Sequence, residues 1–188
     1  MRWPAVFAVL AALAGCGDAL ASGPFDGLPL DGDLRFDIDP PVHVARDRYG
    51  IAHISAGSLA DAAFVQGYVT AHDRLPQMDV LRRLGAGTLA ELYGALDPSM
   101  IDRDLEMRMH RMAPLAAQTF ATLQASQSDV DRQLVSVLLS FANGVNAYAA
   151  SLAHGDWTLD RAVAAHFDPA AFAPWTPVDS LVIARLAA

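Results

Sequence analysis

The residues best equipped for proton transfer or metal binding near neutral pH are six histidines, His43, His53, His72, His110, His154 and His166. They fall in no H-E-x-x-H or Cys/His spacing, so a zinc site has no ligand set, and each reads as a surface or hydrogen-bonded structural residue. The two glutamates, Glu91 and Glu106, have no second carboxylate in an acid–base register. No Gly-x-Ser-x-Gly elbow occurs, and Gly85-Ala86-Gly87 lacks the third glycine and the lysine of a phosphate-cradling loop. Asp31, Asp33, Asp37 and Asp39 miss the register of a calcium loop, which reads them as solvated turns. All 13 basic residues are Arg, they form no cluster, and the net charge is −8, so the electrostatic footprint for nucleic acid is absent. Spacing alone therefore identifies no catalytic residue, cofactor site or metal site.

The elements that would position such chemistry begin behind an export signal. Arg2 precedes an apolar run from Pro4 to Gly15, long enough for a signal-peptide core and too short to span a bilayer. Two exits compete. Leu13-Ala14-Gly15-Cys16 reads as a lipobox in which Cys16 carries a lipid, leaving residues 1–15 as leader; Ala19-Leu20-Ala21 reads as an ordinary cleavage site, leaving 1–21. Cys16 is the only cysteine, and lipidation would remove the liability of a lone thiol in an oxidising compartment. The expected location is periplasmic, membrane-anchored or secreted. Residues 22–41, rich in Gly, Pro and Asp, read as an extended connector, and Val42–Arg46 with Ile51–Ile54 as a β-hairpin about Asp47-Arg48-Tyr49-Gly50.

Helical patterns fill the rest, and with 188 residues, 53% of them hydrophobic and 18% charged, a packed core is expected. Ser58 and Asp61 form a capping-box-like start, Pro76 kinks or restarts the helix, and Gly85 and Gly87 interrupt it. A short helix ends at Gly94; two more, around Ile101–Met112 and Leu115–Leu123, are divided at Pro114. Val130, Leu134, Val137, Leu138, Phe141, Val145, Tyr148 and Leu152 mark one face of a helix from Ser128 to His154-Gly155. Thr176, Pro177 and Asp179 start a final helix that runs apolar to Ala188 without a stop signal, which suggests that more protein follows.

Three blocks go further: Arg46-Asp47-Arg48-Tyr49-Gly50-Ile51-Ala52-His53-Ile54-Ser55-Ala56, then Gln66 to Met78 with His72-Asp73-Arg74, then Arg82 to Glu91 with Gly94. In this order and spacing they resemble the start of the penicillin acylase family. Ala142-Asn143-Gly144-Val145-Asn146-Ala147 and Pro174-Trp175-Thr176-Pro177-Val178-Asp179-Ser180 are similar to later parts of the same family, so the resemblance covers 42–188. His72 departs from the usual Gln, and Val163–Phe167 from a typical Pro-x-Glu-Phe. The matched residues themselves read as scaffold: Asp73 and Arg74 are placed to pair with Arg46, Asp47 or Arg82, Gly67 to permit close approach, and Gln77 to bond backbone at the Pro76 break.

The resemblance implies a mainly α segment with an N-terminal β-hairpin, part of the α-chain of an αββα N-terminal nucleophile hydrolase. It also implies a self-processed precursor whose second chain begins with Ser, Cys or Thr, and substrates such as penicillins, other β-lactams or acyl homoserine lactones. The complete enzyme would carry calcium; the present residues would supply no catalytic group and would be inactive without the β-chain. The alternative is a non-catalytic exported helical lipoprotein or binding module on the same scaffold.

Overall fold

The computed structural model describes residues 32–34, 42–159, 164 and 167–188. The leader, Cys16, most of the connector and the segment around His166 lie outside the described residues. The chain forms two compact units that divide between Ala56 and Gly57.

The first unit is an antiparallel sheet in the order β1 (Gly32–Leu34), β2 (Val42–Arg46), β3 (Ala52–Ser55). The expected hairpin is β2–β3, with His43 opposite Ser55 and Arg46 opposite Ala52. The addition is β1, which pairs Gly32 with Val44 inside the stretch read as connector. Asp47 organises the turn: its Oδ1 accepts from the backbone N–H of Tyr49 at 2.8 Å and of Ile51 at 3.0 Å. Desolvation of the Asp47 carboxylate opposes ionisation, but these two N–H groups and His53, 3.3 Å away, outweigh it and hold the group below the usual carboxylate range.

The second unit is helical. Helix α1 (Leu59–Ala86) starts at Ser58, whose Oγ accepts from the N–H of Asp61, and stops at Gly87 in the left-handed region. Pro76 has no N–H to give to the turn behind it, and the backbone departs from helical geometry at Arg74 (φ −145°, ψ 17°), giving a kink rather than a break. Short α2 (Ala90–Tyr93) and α3 (Met100–Met109) follow, then α4 (Met112–Ala125). The division between α3 and α4 falls at Arg111, with φ 54°, not at Pro114. Pro114 sits in the first turn of α4, where a missing N–H costs no intrahelical bond. Helix α5 (Asp129–His154) has the expected limits, capped by Ser128 and ended by Gly155 in the left-handed region. After a 3₁₀ turn (Pro169–Ala171), α6 (Pro177–Leu186) begins at the expected Thr176 cap, which Asp179 completes as a capping box, and closes at Leu186 rather than running to Ala188.

The core lies where α1 packs on α5, with α6 against α1 and α4. The two long helices meet backbone to backbone: a Cβ on Gly67 would stand 2.2 Å from the Phe141 carbonyl oxygen, and one on Gly144 only 1.9 Å from the Phe64 carbonyl oxygen. Around this contact Val65, Tyr68, Val69, Ala142, Val145 and Tyr148 are buried. The face read on α5 is thus buried from Ala142 onward, whereas Val130 and Leu134 are exposed.

Alanine favours an isolated helix over glycine by about 1 kcal/mol, but the clash at these positions forces the helices apart. Gly67→Ala and Gly144→Ala are each expected to destabilise the unit by about 2 kcal/mol or more in urea denaturation, while Asn143→Ala, exposed on the same helix, stays within about 0.5 kcal/mol. Wild-type stability in either glycine variant would show that the crossing is looser than described.

Candidate functional site

The matched blocks of the helical unit converge where α6 and the loop before it dock on α1 and α5. Asp79 and Arg82, both buried, face this junction from α1. Arg82 Nε donates to Asp79 Oδ1 at 2.8 Å, and Nη2 lies 2.6 Å from the same oxygen as an ion-pair contact outside hydrogen-bonding direction. Asp79 Oδ2 accepts from Arg83 Nε at 3.0 Å, and Arg83 Nη1 reaches Glu91 Oε2 at 2.8 Å. The Arg82 guanidinium also lies 4.4 Å from the ring centre of Phe172 and 5.3 Å from that of Trp175, with Asp179 of α6 at 3.8 Å. One arginine thereby ties α1 to the loop and to the start of α6.

Asn146 of α5 completes the junction. Its Oδ1 accepts from the Trp175 N–H at 2.7 Å and its Nδ2 donates to the Trp175 carbonyl at 2.9 Å, satisfying both backbone groups of one residue. The Trp175 indole N–H donates to Ser180 Oγ at 2.9 Å, and Trp175 itself is buried. On α1, Gly85 lets α6 approach, since a Cβ there would stand 2.3 Å from Val182 Cγ1. On the other side of Gly87, buried Asp104 of α3 accepts from the N–H groups of Leu89 and Ala90 at 2.9 and 2.8 Å, and Arg108 Nε donates to the Gly87 carbonyl at 2.7 Å. The Arg82–Gly94 block is thus a helix end held by α3.

A second cluster gathers His72, Tyr68, Tyr148 and Trp157. The His72 ring lies edge-on to Tyr148 and Trp157, with ring centres 5.4 and 5.2 Å away, and Nδ1 is 2.9 Å from Asp73 Oδ1. Trp157 Nε1 donates to the Tyr68 hydroxyl at 3.0 Å. Burial, then the neighbouring Tyr68 and Asp73, push the Tyr148 phenol from its ordinary 10 up to about 12.

Two concavities open on this unit. A pocket of about 320 Å³ is bounded by Met78, Leu81, Phe141, Trp175 and Ile183, with Arg74 and Gln77 at its polar side, where Arg74 Nη1 donates to Gln77 Oε1 at 3.0 Å. A groove of about 1410 Å³ runs past Leu81, Leu92, Leu96, Trp157 and Phe172, and its polar wall, Asp79 and Arg83, is bonded to itself. The hydroxyls nearby are engaged: Thr70 donates to the Gln66 carbonyl, Ser151 to that of Tyr148, and Ser180 accepts from the Trp175 indole N–H. Among the described residues no three His, Cys, Asp or Glu converge as a metal site, calcium included.

Three partners differ from the set expected from sequence: Arg74 donates to the Gln77 side chain, Asp73 meets His72, and Arg82 pairs with Asp79. Gly67 makes the close approach expected of it. Sequence reasoning missed Asp79, Asp104 and the Asn146–Trp175 pair. Asp79 carries a readable signal, its i+3 and i+4 spacing to Arg82 and Arg83. His53 pairs with Asp47, Glu91 with Arg83, and His43, His110, His154 and Glu106 are exposed.

What this geometry defines is a helical frame that fixes one incoming loop and helix, built from the residues that the matched blocks contain. The penicillin amidase family model matches residues 41–188, and the chain belongs to that family. It is 37% identical over 124 residues to the penicillin acylase 2 proenzyme of Pseudomonas sp. (strain SE83), covering 65% of this chain and 15% of that protein. It is 33% identical over 146 residues to acyl-homoserine lactone acylase QuiP of Pseudomonas aeruginosa, covering 77% and 16%. Among solved structures, thermostable penicillin G acylase from Alcaligenes faecalis superposes with a TM-score of 0.62 at 29% identity, covering 76% of this chain and 69% of that one. The mainly helical segment of an N-terminal nucleophile hydrolase expected from the resemblance agrees with this neighbour. The chain spans about one sixth of the length of the curated relatives it matches.

Two outcomes test the frame. Asp79→Ala leaves Arg82 buried without its carboxylate and is expected to cost about 3 to 5 kcal/mol by denaturation, against less than about 1 kcal/mol for the exposed Asp129→Ala. For Tyr148 the folded state favours the neutral phenol, so its contribution to stability is present below pH 10 and lost as pH rises through about 12. Ultraviolet titration near 295 nm, compared with Tyr148→Phe, should show this residue ionising well above pH 10; ionisation near pH 10 in a still-helical chain would refute its burial.

Proposed function

We infer that this chain is the front part of the precursor of an amide-bond acylase acting on N-acyl substrates, such as penicillins, other β-lactams or acyl homoserine lactones. The observation that carries the reading is the family match over 41–188 in a chain whose matched residues are bonded to one another as scaffold. The proenzyme and the lactone acylase among its relatives supply the substrate classes. In this reading a Ser, Cys or Thr freed by self-cleavage at the start of a second chain adds to the amide carbonyl. Its own α-amine takes the proton, backbone N–H groups stabilise the oxyanion, the amine leaves, and water then releases the acyl group. The described residues hold the frame on which that chain assembles and are inactive alone. Export precedes this, with Cys16 as the lipid attachment point or with the leader removed after Ala21.

The test begins with the coding sequence beyond Ala188, where a spacer followed by Gly and then Ser, Cys or Thr is expected. Purified as 188 residues, the chain should release neither phenylacetate from penicillin G nor homoserine lactone from its N-acyl derivatives; the extended precursor should split in two and release one of them. Turnover by the isolated chain, or an extended precursor that splits and hydrolyses no amide, overturns the reading.

A further inference from the structure

The sequence holds two asparagines, Asn143 and Asn146, and the first of them directly precedes the glycine on which the helix crossing depends. In an Asn-Gly pair the side-chain amide is open to attack by the following backbone nitrogen, because no Cβ shields that nitrogen and glycine lets the chain bend toward it. The crossing retains the glycine, since a Cβ on Gly144 would stand 1.9 Å from the Phe64 carbonyl oxygen. Asn143 itself is exposed. The folded helix nevertheless guards the pair. Both residues lie inside α5, where the Gly144 N–H is committed to the carbonyl four residues earlier, that of Ser140. Closing a ring between Gly144 N and Asn143 Cγ needs a backbone rotation at Asn143 that the helix forbids.

We propose that Asn143-Gly144 is a self-modifying site, silent in the folded chain and active whenever this part of α5 opens. The chemistry is independent of the acylase reading and consumes only water. Gly144 N, giving its proton to hydroxide, bonds to Asn143 Cγ; the Cγ–Nδ2 bond breaks and Nδ2 leaves as ammonia, which forms a succinimide. Water then opens the ring. Attack at Cγ gives aspartate, whereas attack at the Asn143 backbone carbonyl carbon gives isoaspartate, whose main chain runs through Cγ and is longer by one methylene. The net exchange is one water taken up and one ammonia lost.

The two products differ in consequence. Aspartate at exposed position 143 adds a charge and leaves the helix able to form. Isoaspartate inserts its methylene immediately before Gly144 and displaces everything beyond it relative to the first half of α5. Gly144 then loses its seat against Phe64, and Asn146 its bonds to Trp175 at 2.7 and 2.9 Å. Time spent unfolded is thereby converted into permanent loss of the crossing.

The test holds the 188-residue chain at mildly alkaline pH in native buffer and in guanidinium chloride, then dilutes the denaturant and reads helicity. The peptide containing residue 143 is followed by mass and by isoaspartyl methyltransferase labelling. Its gain of about 1 Da is expected roughly tenfold faster or more in denaturant than in native buffer. The fraction that fails to regain helicity should rise with the isoaspartate content. Asn143→Gln, whose longer side chain closes a ring far more slowly, and Asn143→Ala should melt like the wild type and refold fully after the same exposure. Both variants keep Asp26-Gly27 and Asp31-Gly32, so isomerisation at those pairs counts equally in all three chains. Equal rates of modification in native buffer and denaturant overturn the proposal, because the helix then guards nothing. So does a chain carrying isoaspartate at 143 that refolds to wild-type helicity. Variants that lose refolding as fast as the wild type overturn it as well, since the loss then has another origin.

Discussion

The helical unit is organised by a single steric constraint, the backbone contact of α1 with α5 at Gly67 and Gly144. Each glycine lies against the carbonyl of a residue on the opposite helix, so the contact is reciprocal and has no slack. Bringing two helices this close removes the layer of side chains that normally separates them and fixes their relative rotation. That rotation decides which residues face inward. On α1 it buries Val65, Tyr68 and Val69; on α5, Ala142, Val145 and Tyr148. It also places Asn146, two residues beyond Gly144, where its amide can reach the backbone of Trp175.

Everything at the junction with α6 depends on that placement. A side-chain amide that satisfies both the N–H and the C=O of one loop residue replaces a strand partner and so holds an irregular segment at a buried position. Arg82 works beside it under a different constraint. Burying a guanidinium is costly unless charge and hydrogen bonds compensate, and here Asp79 provides the charge while Phe172 and Trp175 provide π-faces. Because the compensation comes partly from the loop, the loop cannot leave without exposing the cost. The same logic holds at Asp104, a buried carboxylate whose two backbone donors belong to the end of the Gly87 turn.

Much of the element structure is legible in the sequence because local chemistry decides it. Ser58, Ser128 and Thr176 mark helix starts through hydroxyls that accept from N–H groups, and Gly87 and Gly155 mark ends by left-handed backbone. Where two local rules compete, reading fails. Pro114 looks like a divider but sits harmlessly in a first turn, and the actual division at Arg111 has no glycine to announce it. Strand β1 is three residues long and contains Gly32 and Asp33, poor strand formers, so pairing with β2 rather than propensity makes it a strand. The apolar period of α5 identifies its greasy side but carries no information on what covers it, which is why Val130 reads as core and is 72% exposed. The Asn146–Trp175 clamp joins positions 29 residues apart, and no local pattern encodes such a pairing.

The departure at His72 shows how tightly these parts are coupled. Where the resemblance leads one to expect a glutamine, imidazole offers the same minimum, a ring nitrogen in hydrogen-bonding range of Asp73. It adds a flat face and edges that glutamine lacks, and the surroundings use them: Tyr148 and Trp157 both meet the ring edge-on, and Trp157 in turn bonds Tyr68 one helical turn before His72. A glutamine there could keep the bond to Asp73 but would forfeit the ring contact with Tyr148 of α5 and the one with Trp157, which brings the segment after α5 back onto α1. The substitution and the aromatic residues around it are therefore one packing solution. Its effect lies in how the end of α5 is tied down.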